Sequence, residues 1–97
     1  MATRTNNLYG RITVSNRAIK SVANLAISEC YGVAKGRVTY IEVDENKIET
    51  IYIRMNLKFG VTPLTVAESV RSTVKYHVEK FTGMTVRIIN IILVGIE

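Results

Sequence analysis

Residues 48–59 carry the strictest alternation in the chain: Ile51, Ile53, Met55, Leu57 and Phe59 fall on one side, and Tyr52, Arg54, Asn56 and Lys58 on the other. A period of two is the signature of an extended strand with one face against a core and one in water. Such a strand belongs to an antiparallel or mixed sheet covered on one side, so other parts of the chain must supply the cover.

Two segments have the period to do so. Ile19, Val22, Ala23, Ala26, Ile27 and Cys30 recur at helical spacing, with Arg17, Lys20, Ser21, Asn24 and Ser28 mainly opposite. Ser15 stands where its hydroxyl can cap this helix, and Gly32 closes it near residue 31. Val66, Ala67, Val70, Val74, Val78 and Phe81 form the stripe of a second helix. Thr62 and Pro63 open it as cap and first helical residue, and Gly83 stops it.

The remaining segments read as strands. Residues 9–14 alternate, with Ile12 and Val14 on one face and Arg11 and Thr13 on the other. Gly36 opens a hairpin whose first strand is 38–43 and whose second is 48–59, joined by a turn of Asp44, Glu45, Asn46 and Lys47. Residues 85–96, rich in Ile and Val, make a last strand. The expected fold class is α+β: a two-layer β-α-β-β-α-β arrangement, a four-stranded mixed sheet with two helices on one face. Residues 1–7 are expected to be a disordered tail and residues 8–97 a single domain. A length of 97 residues, with 47% hydrophobic residues and only six Gly and one Pro, fits one small globular core and leaves no room for a separate catalytic lobe.

A search for chemistry returns little. His77 is the single histidine and borders the stripe of the second helix; Cys30 is the single cysteine and lies on the stripe of the first. No intrachain disulfide can form from one cysteine, which fits a reducing compartment. No metal-ligand spacing can be drawn from one Cys, one His and dispersed carboxylates. Glu42, Asp44, Glu45 and Glu49 cluster at a hairpin turn, an exposed place that offers no pocket for acid–base work and reads as a solvated turn. Gly32-Val33-Ala34-Lys35-Gly36 lacks the Gly-Lys-Ser/Thr ending of a phosphate loop and follows a helix instead of a strand. Catalytic, cofactor-binding and metal residues are therefore assigned as none, and no small-molecule substrate is expected.

Thirteen Lys and Arg against eight Asp and Glu give a net charge of +5, but no two basic residues are adjacent. The five tyrosines and two phenylalanines do not read as the paired sheet-face aromatics of an RNA-recognition domain. The pattern argues against a nucleic-acid partner, although a small basic nucleic-acid-binding module stays open as the alternative reading. The N-terminal residues lack the apolar run of a signal peptide, and the longest apolar stretch, 88–96, is far short of the roughly 20 residues a membrane helix needs. A soluble intracellular protein is expected.

Several short elements, taken in order, resemble one family. Tyr9-Gly10-Arg11-Ile12-Thr13-Val14-Ser15 is similar to its Gly-x-Ile strand and helix cap, and Glu29-Cys30-Tyr31-Gly32-Val33 to its helix-closing acidic-x-x-Gly-Val element. Residues 52–60 with Val66, Ala67, Val70 and Val74 resemble its alternating strand, Gly break and valine-striped helix. Thr82-Gly83 with Val86, then Ile89-Asn90-Ile91 and Val94-Gly95, resemble its ending. This is the alkaline shock protein family of Gram-positive bacteria, also called the Gls-type envelope stress response family. The Cys-Tyr-Gly element is most similar to the small branch encoded beside dihydroxyacetone-kinase-like proteins. The resemblance implies a non-enzymatic cytoplasmic protein linked to envelope homeostasis, which forms homo-oligomers and sits at the inner face of the membrane through an anchoring partner or the kinase-like neighbour protein.

One surface stands out on the last strand. If Ile89, Ile91 and Leu93 face the helices, then Ile88, Asn90, Ile92 and Val94 face away, and three aliphatics on an uncovered sheet face make an interaction surface. A central strand with both faces covered is the other reading of the same residues.

Overall fold

The computed structural model describes residues 15–97, which run in the order α1 (Asn16–Ser28), β1 (Val33–Asp44), β2 (Lys47–Leu57), α2 (Pro63–Thr82) and β3 (Thr85–Ile96). The expected tail at 1–7 and the expected first strand at 9–14 lie outside the described residues. Among those described, the sheet has three strands in the order β1-β2-β3, not four. β1 and β2 pair antiparallel as a hairpin, and β2 and β3 pair parallel across α2, so the sheet is mixed as expected.

Local chemistry explains the helix ends. The Ser15 hydroxyl accepts from the N–H of Ala18 at 3.1 Å, which caps α1. Pro63 occupies the first turn of α2, where its missing N–H costs nothing. Gly83 ends α2 in the left-handed region at φ 73°, its N–H bonded to the Glu79 carbonyl. α1 stops at Ser28, earlier than its apolar stripe suggests. Gly32, at φ 91°, serves instead the turn into β1.

Both helices cover one face of the sheet. Ile19, Ala23, Ala26 and Ile27 of α1, and Val66, Val70, Val74 and Val78 of α2, are buried against Val38, Ile41, Ile48, Ile51, Ile53, Met55, Leu57, Val86 and Ile89. Two aromatic expectations fail. Phe59 is 87% exposed, because β2 ends at Leu57 and the chain turns away at Gly60. Phe81 is 50% exposed. The buried valines recur every four residues, and a residue three beyond Val78 falls about 60° back from that line, in the last turn of the helix.

Gly36 does not open the hairpin. It lies inside β1, opposite Met55. A Cβ there would stand 2.8 Å from Ile27 Cγ2 and 2.9 Å from Met55 Cβ, so its absence is what lets α1 lie this close to the sheet. The free N–H of Val38 on edge strand β1 is taken by Asn24 Oδ1 at 2.8 Å. At the other end of the described strand order, α2 reaches down to β3. Glu79 accepts from the N–H of Val86 at 2.8 Å, and Lys75 Nζ donates to the Val86 carbonyl at 3.1 Å.

Candidate functional site on the uncovered sheet face

Each strand sends alternate residues to the face without helices, but the alternation slips. Val38 pairs with Ile53 and Tyr40 with Tyr52, so Thr39 is an extra residue on β1. Its hydroxyl donates to the Tyr52 carbonyl at 3.3 Å. Bulges of this kind re-aim the side chains that follow. Here Ile41 turns into the core, 3% exposed, and Tyr40 turns out, 59% exposed. A second slip leaves Glu49 unopposed on β2, between buried Ile48 and buried Thr50.

Three cross-strand rows result. Glu42, Thr50 and Ile88 form one; Tyr40, Tyr52 and Asn90 the next; Arg37, Arg54 and Ile92 the third. The rings of Tyr40 and Tyr52 lie 5.8 Å apart at 44°. The tyrosines therefore do pair on the sheet face, contrary to the reading of the sequence. Strict alternation from Val38 would send Tyr40 inward, and the bulge is the signal that a single sequence hides. Beside the pair is a shallow hollow of about 490 Å³, lined by Arg37, Thr39, Tyr40, Tyr52, Arg54 and Ile92. The two arginines also line a smaller hollow of about 220 Å³, toward Lys35, Asn56 and Val94.

The face is positively charged at its centre. Among the described residues neither Arg37 nor Arg54 is in an ion pair, whereas Lys35, Lys47, Lys75 and Arg87 each have a carboxylate. Glu97 closes one end of the face. Its carboxylate accepts from the Asn56 amide and lies 3.5 Å from Lys35, and these partners, Asn56 foremost, hold its pKa below the ordinary carboxylate range.

The structure puts Ile88, Asn90, Ile92 and Val94 on exposed positions of β3. Ile88, Asn90 and Ile92 stand opposite Thr50, Tyr52 and Arg54, and Val94 sits at a register shift beside Asn56. Ile88, Ile92 and Val94 are 46%, 45% and 52% exposed. Among the described residues β2 is the middle strand, and β3 lies at one end of the order. Of the residues expected to face the helices, Ile89 is buried and Ile91 half-buried, but Leu93 is 44% exposed, so the cover fades toward the end of β3.

The remaining candidates are scattered. Cys30 is buried, and its thiol donates to the Ala26 carbonyl at 3.4 Å. His77 is half-buried and packs edge-on against Tyr76, ring centroids 5.2 Å apart. The acidic cluster is divided among cations: Asp44 pairs with Lys47 and Glu49 with Arg87. The N–H of Glu45, then Lys47, holds the pKa of Asp44 below its ordinary value. Among the described residues no three His, Cys, Asp or Glu side chains gather where they could hold a metal ion. No described helix is long and apolar enough to cross a membrane.

Comparison with known proteins agrees with the resemblance drawn from the sequence. Residues 36–97 match the family of alkaline shock protein type, which is described by a cell envelope-related function. A protein of Bacillus subtilis (strain 168), named only as the uncharacterized protein YloU, is 29% identical over 108 aligned positions, covering 92% of this chain and 90% of its own length. No solved structure matches the chain.

Proposed function

This chain belongs to the alkaline shock protein family, and from that premise we propose that it is a non-enzymatic scaffold or adaptor that serves the cell envelope through self-association and protein partners. The observation that carries this reading is the aliphatic row of Ile88, Ile92 and Val94, exposed on a sheet face that no described helix covers. Complete burial of each such side chain is worth roughly 1.5–3 kcal/mol before the costs of association. Three of them favour a weak oligomer or a docked partner without fixing its size.

The same proposal has no catalytic step. The single cysteine is buried, the single histidine packs on a tyrosine, and the carboxylates of the hairpin are engaged by lysine, arginine or solvent. Family resemblance supports a cytoplasmic location at the inner face of the membrane, reached through an anchoring or kinase-like partner. Affinity purification from the native cell with the envelope fraction retained tests the reading. An envelope protein should come down with the parent chain and be depleted with Ile92→Lys. Recovery of the same proteins with both, or of none, rejects it.

A further inference from the structure

We propose that the β1–β2 half of the sheet face that no described helix covers binds single-stranded nucleic acid, with bases stacked on Tyr40 and Tyr52 and phosphates held by Arg37 and Arg54. Four observations lead there. The two rings are neighbours across the ladder, and Tyr40 is more than half exposed, so a planar base has a surface to lie on. Arg37 and Arg54 stand directly opposite each other in the next row. Like charges so placed destabilise a sheet, and among the described residues neither is neutralised by an ion pair, so a polyanion relieves the repulsion. Asn90, level with Tyr52 on β3, offers both a donor and an acceptor to a base edge. Finally, the extra residue Thr39 exposes Tyr40 and not Ile41, and bulges placed beside a functional surface do this.

The alternatives fit less well. The hollow is shallow and open, while a small molecule is held in an enclosed cleft. A second copy docked by the same half-face would bring four arginines together, and like charges across an interface are repelled. The self-association proposed above rests on Ile88, Ile92 and Val94; the two surfaces meet at Ile92, which lines the hollow, so it is the variants at Tyr40 and the arginines that separate the two proposals.

The test is fluorescence anisotropy with a labelled, unstructured 12-nucleotide RNA over a salt series, using the full chain. Two phosphates neutralised on a single strand give a slope of log K against log salt of about −1.4. Arg37→Gln and Arg54→Gln should each reduce that slope by about 0.7. Tyr40→Ala should weaken binding roughly 5- to 100-fold with the slope unchanged, and Tyr40→Phe, which keeps the ring, should restore it. Circular dichroism melts identify any variant that fails to fold, and the conservative Tyr40→Phe and Arg37→Gln keep the test decisive if Tyr40→Ala does. The oligomer mass of Tyr40→Ala should equal the parent's. Three results overturn the proposal: no saturable binding; equal loss on Lys80→Gln, a cation on α2; or binding of anionic vesicles in place of RNA that needs the arginines and ignores Tyr40.

Discussion

Tyr40 faces Tyr52 on the outer side of the sheet with one extra residue, Thr39, spliced into β1 between Val38 and Tyr40. Because Thr39 opposes nothing on β2, its deletion leaves a regular ladder in which Val38 and Ile41 still point inward. The chain without Thr39 should therefore keep a cooperative thermal transition. Deleting Arg54 from the central strand shifts every inward residue after it to the wrong face and should abolish folding. Loss of the transition on removal of Thr39 would show that the bulge is structurally required.

Gly36 lies where α1 presses on the sheet. Gly36→Ala forces a methyl to within 2.8 Å of Ile27 and 2.9 Å of Met55 in an otherwise filled core. A destabilisation of about 1–3 kcal/mol is expected from overpacking. Denaturant unfolding measures it, and an unchanged midpoint would mean that α1 can retreat freely.

The weight of the core rests on β2 and not on the aromatics. Ile53 is fully buried in the middle strand, so Ile53→Ala should cost about 2–5 kcal/mol. Phe81, half exposed at the end of α2, should cost under about 1 kcal/mol when cut to alanine. Reversal of that order in chemical denaturation would place the helix over a different part of the sheet.

Much of this was legible in the sequence because the signals were local. Alternation over Ile51, Ile53, Met55 and Leu57, the four-residue valine step of α2, and the caps at Ser15, Pro63 and Gly83 each report on a few neighbouring residues, and all are found in place. What was hidden depends on partners distant in the chain. Gly36 looks like a breaker until Ile27 is known to sit above it, which is why β1 begins at Val33 and not at 38. The outward pairing of Tyr40 depends on which β1 residue β2 leaves unpaired, and nothing near Thr39 announces that. The outward direction of Ile88, Asn90 and Ile92 was legible, because period two survives in that part of β3.

The clip between α2 and the edge of β3 gives a pH dependence. Lys75, then the N–H of Val86, holds Glu79 below its ordinary value of 4.5. A carboxylate depressed in the folded state contributes stability that is fully present above the unfolded value and is lost as pH falls through the lower folded one. Glu79→Gln should therefore melt below the parent at neutral pH, and the two curves should converge as pH falls below 4.5 and through the lower folded value. The effect is modest because the pair is solvent-facing. A melting difference independent of pH would remove the charge from the explanation.

The outward aliphatics of β3, if they form a binding surface and are not part of the core, should govern the mass of the particle and not the stability of the fold. Static light scattering with thermal melts on the parent, Ile92→Lys and Val94→Asp tests this most directly. The expected result is a parent heavier than one chain, variants of lower mass, and melting temperatures within a few degrees of the parent's. Variants that unfold, or a parent that is already a single chain with the same mass in every variant, would contradict it.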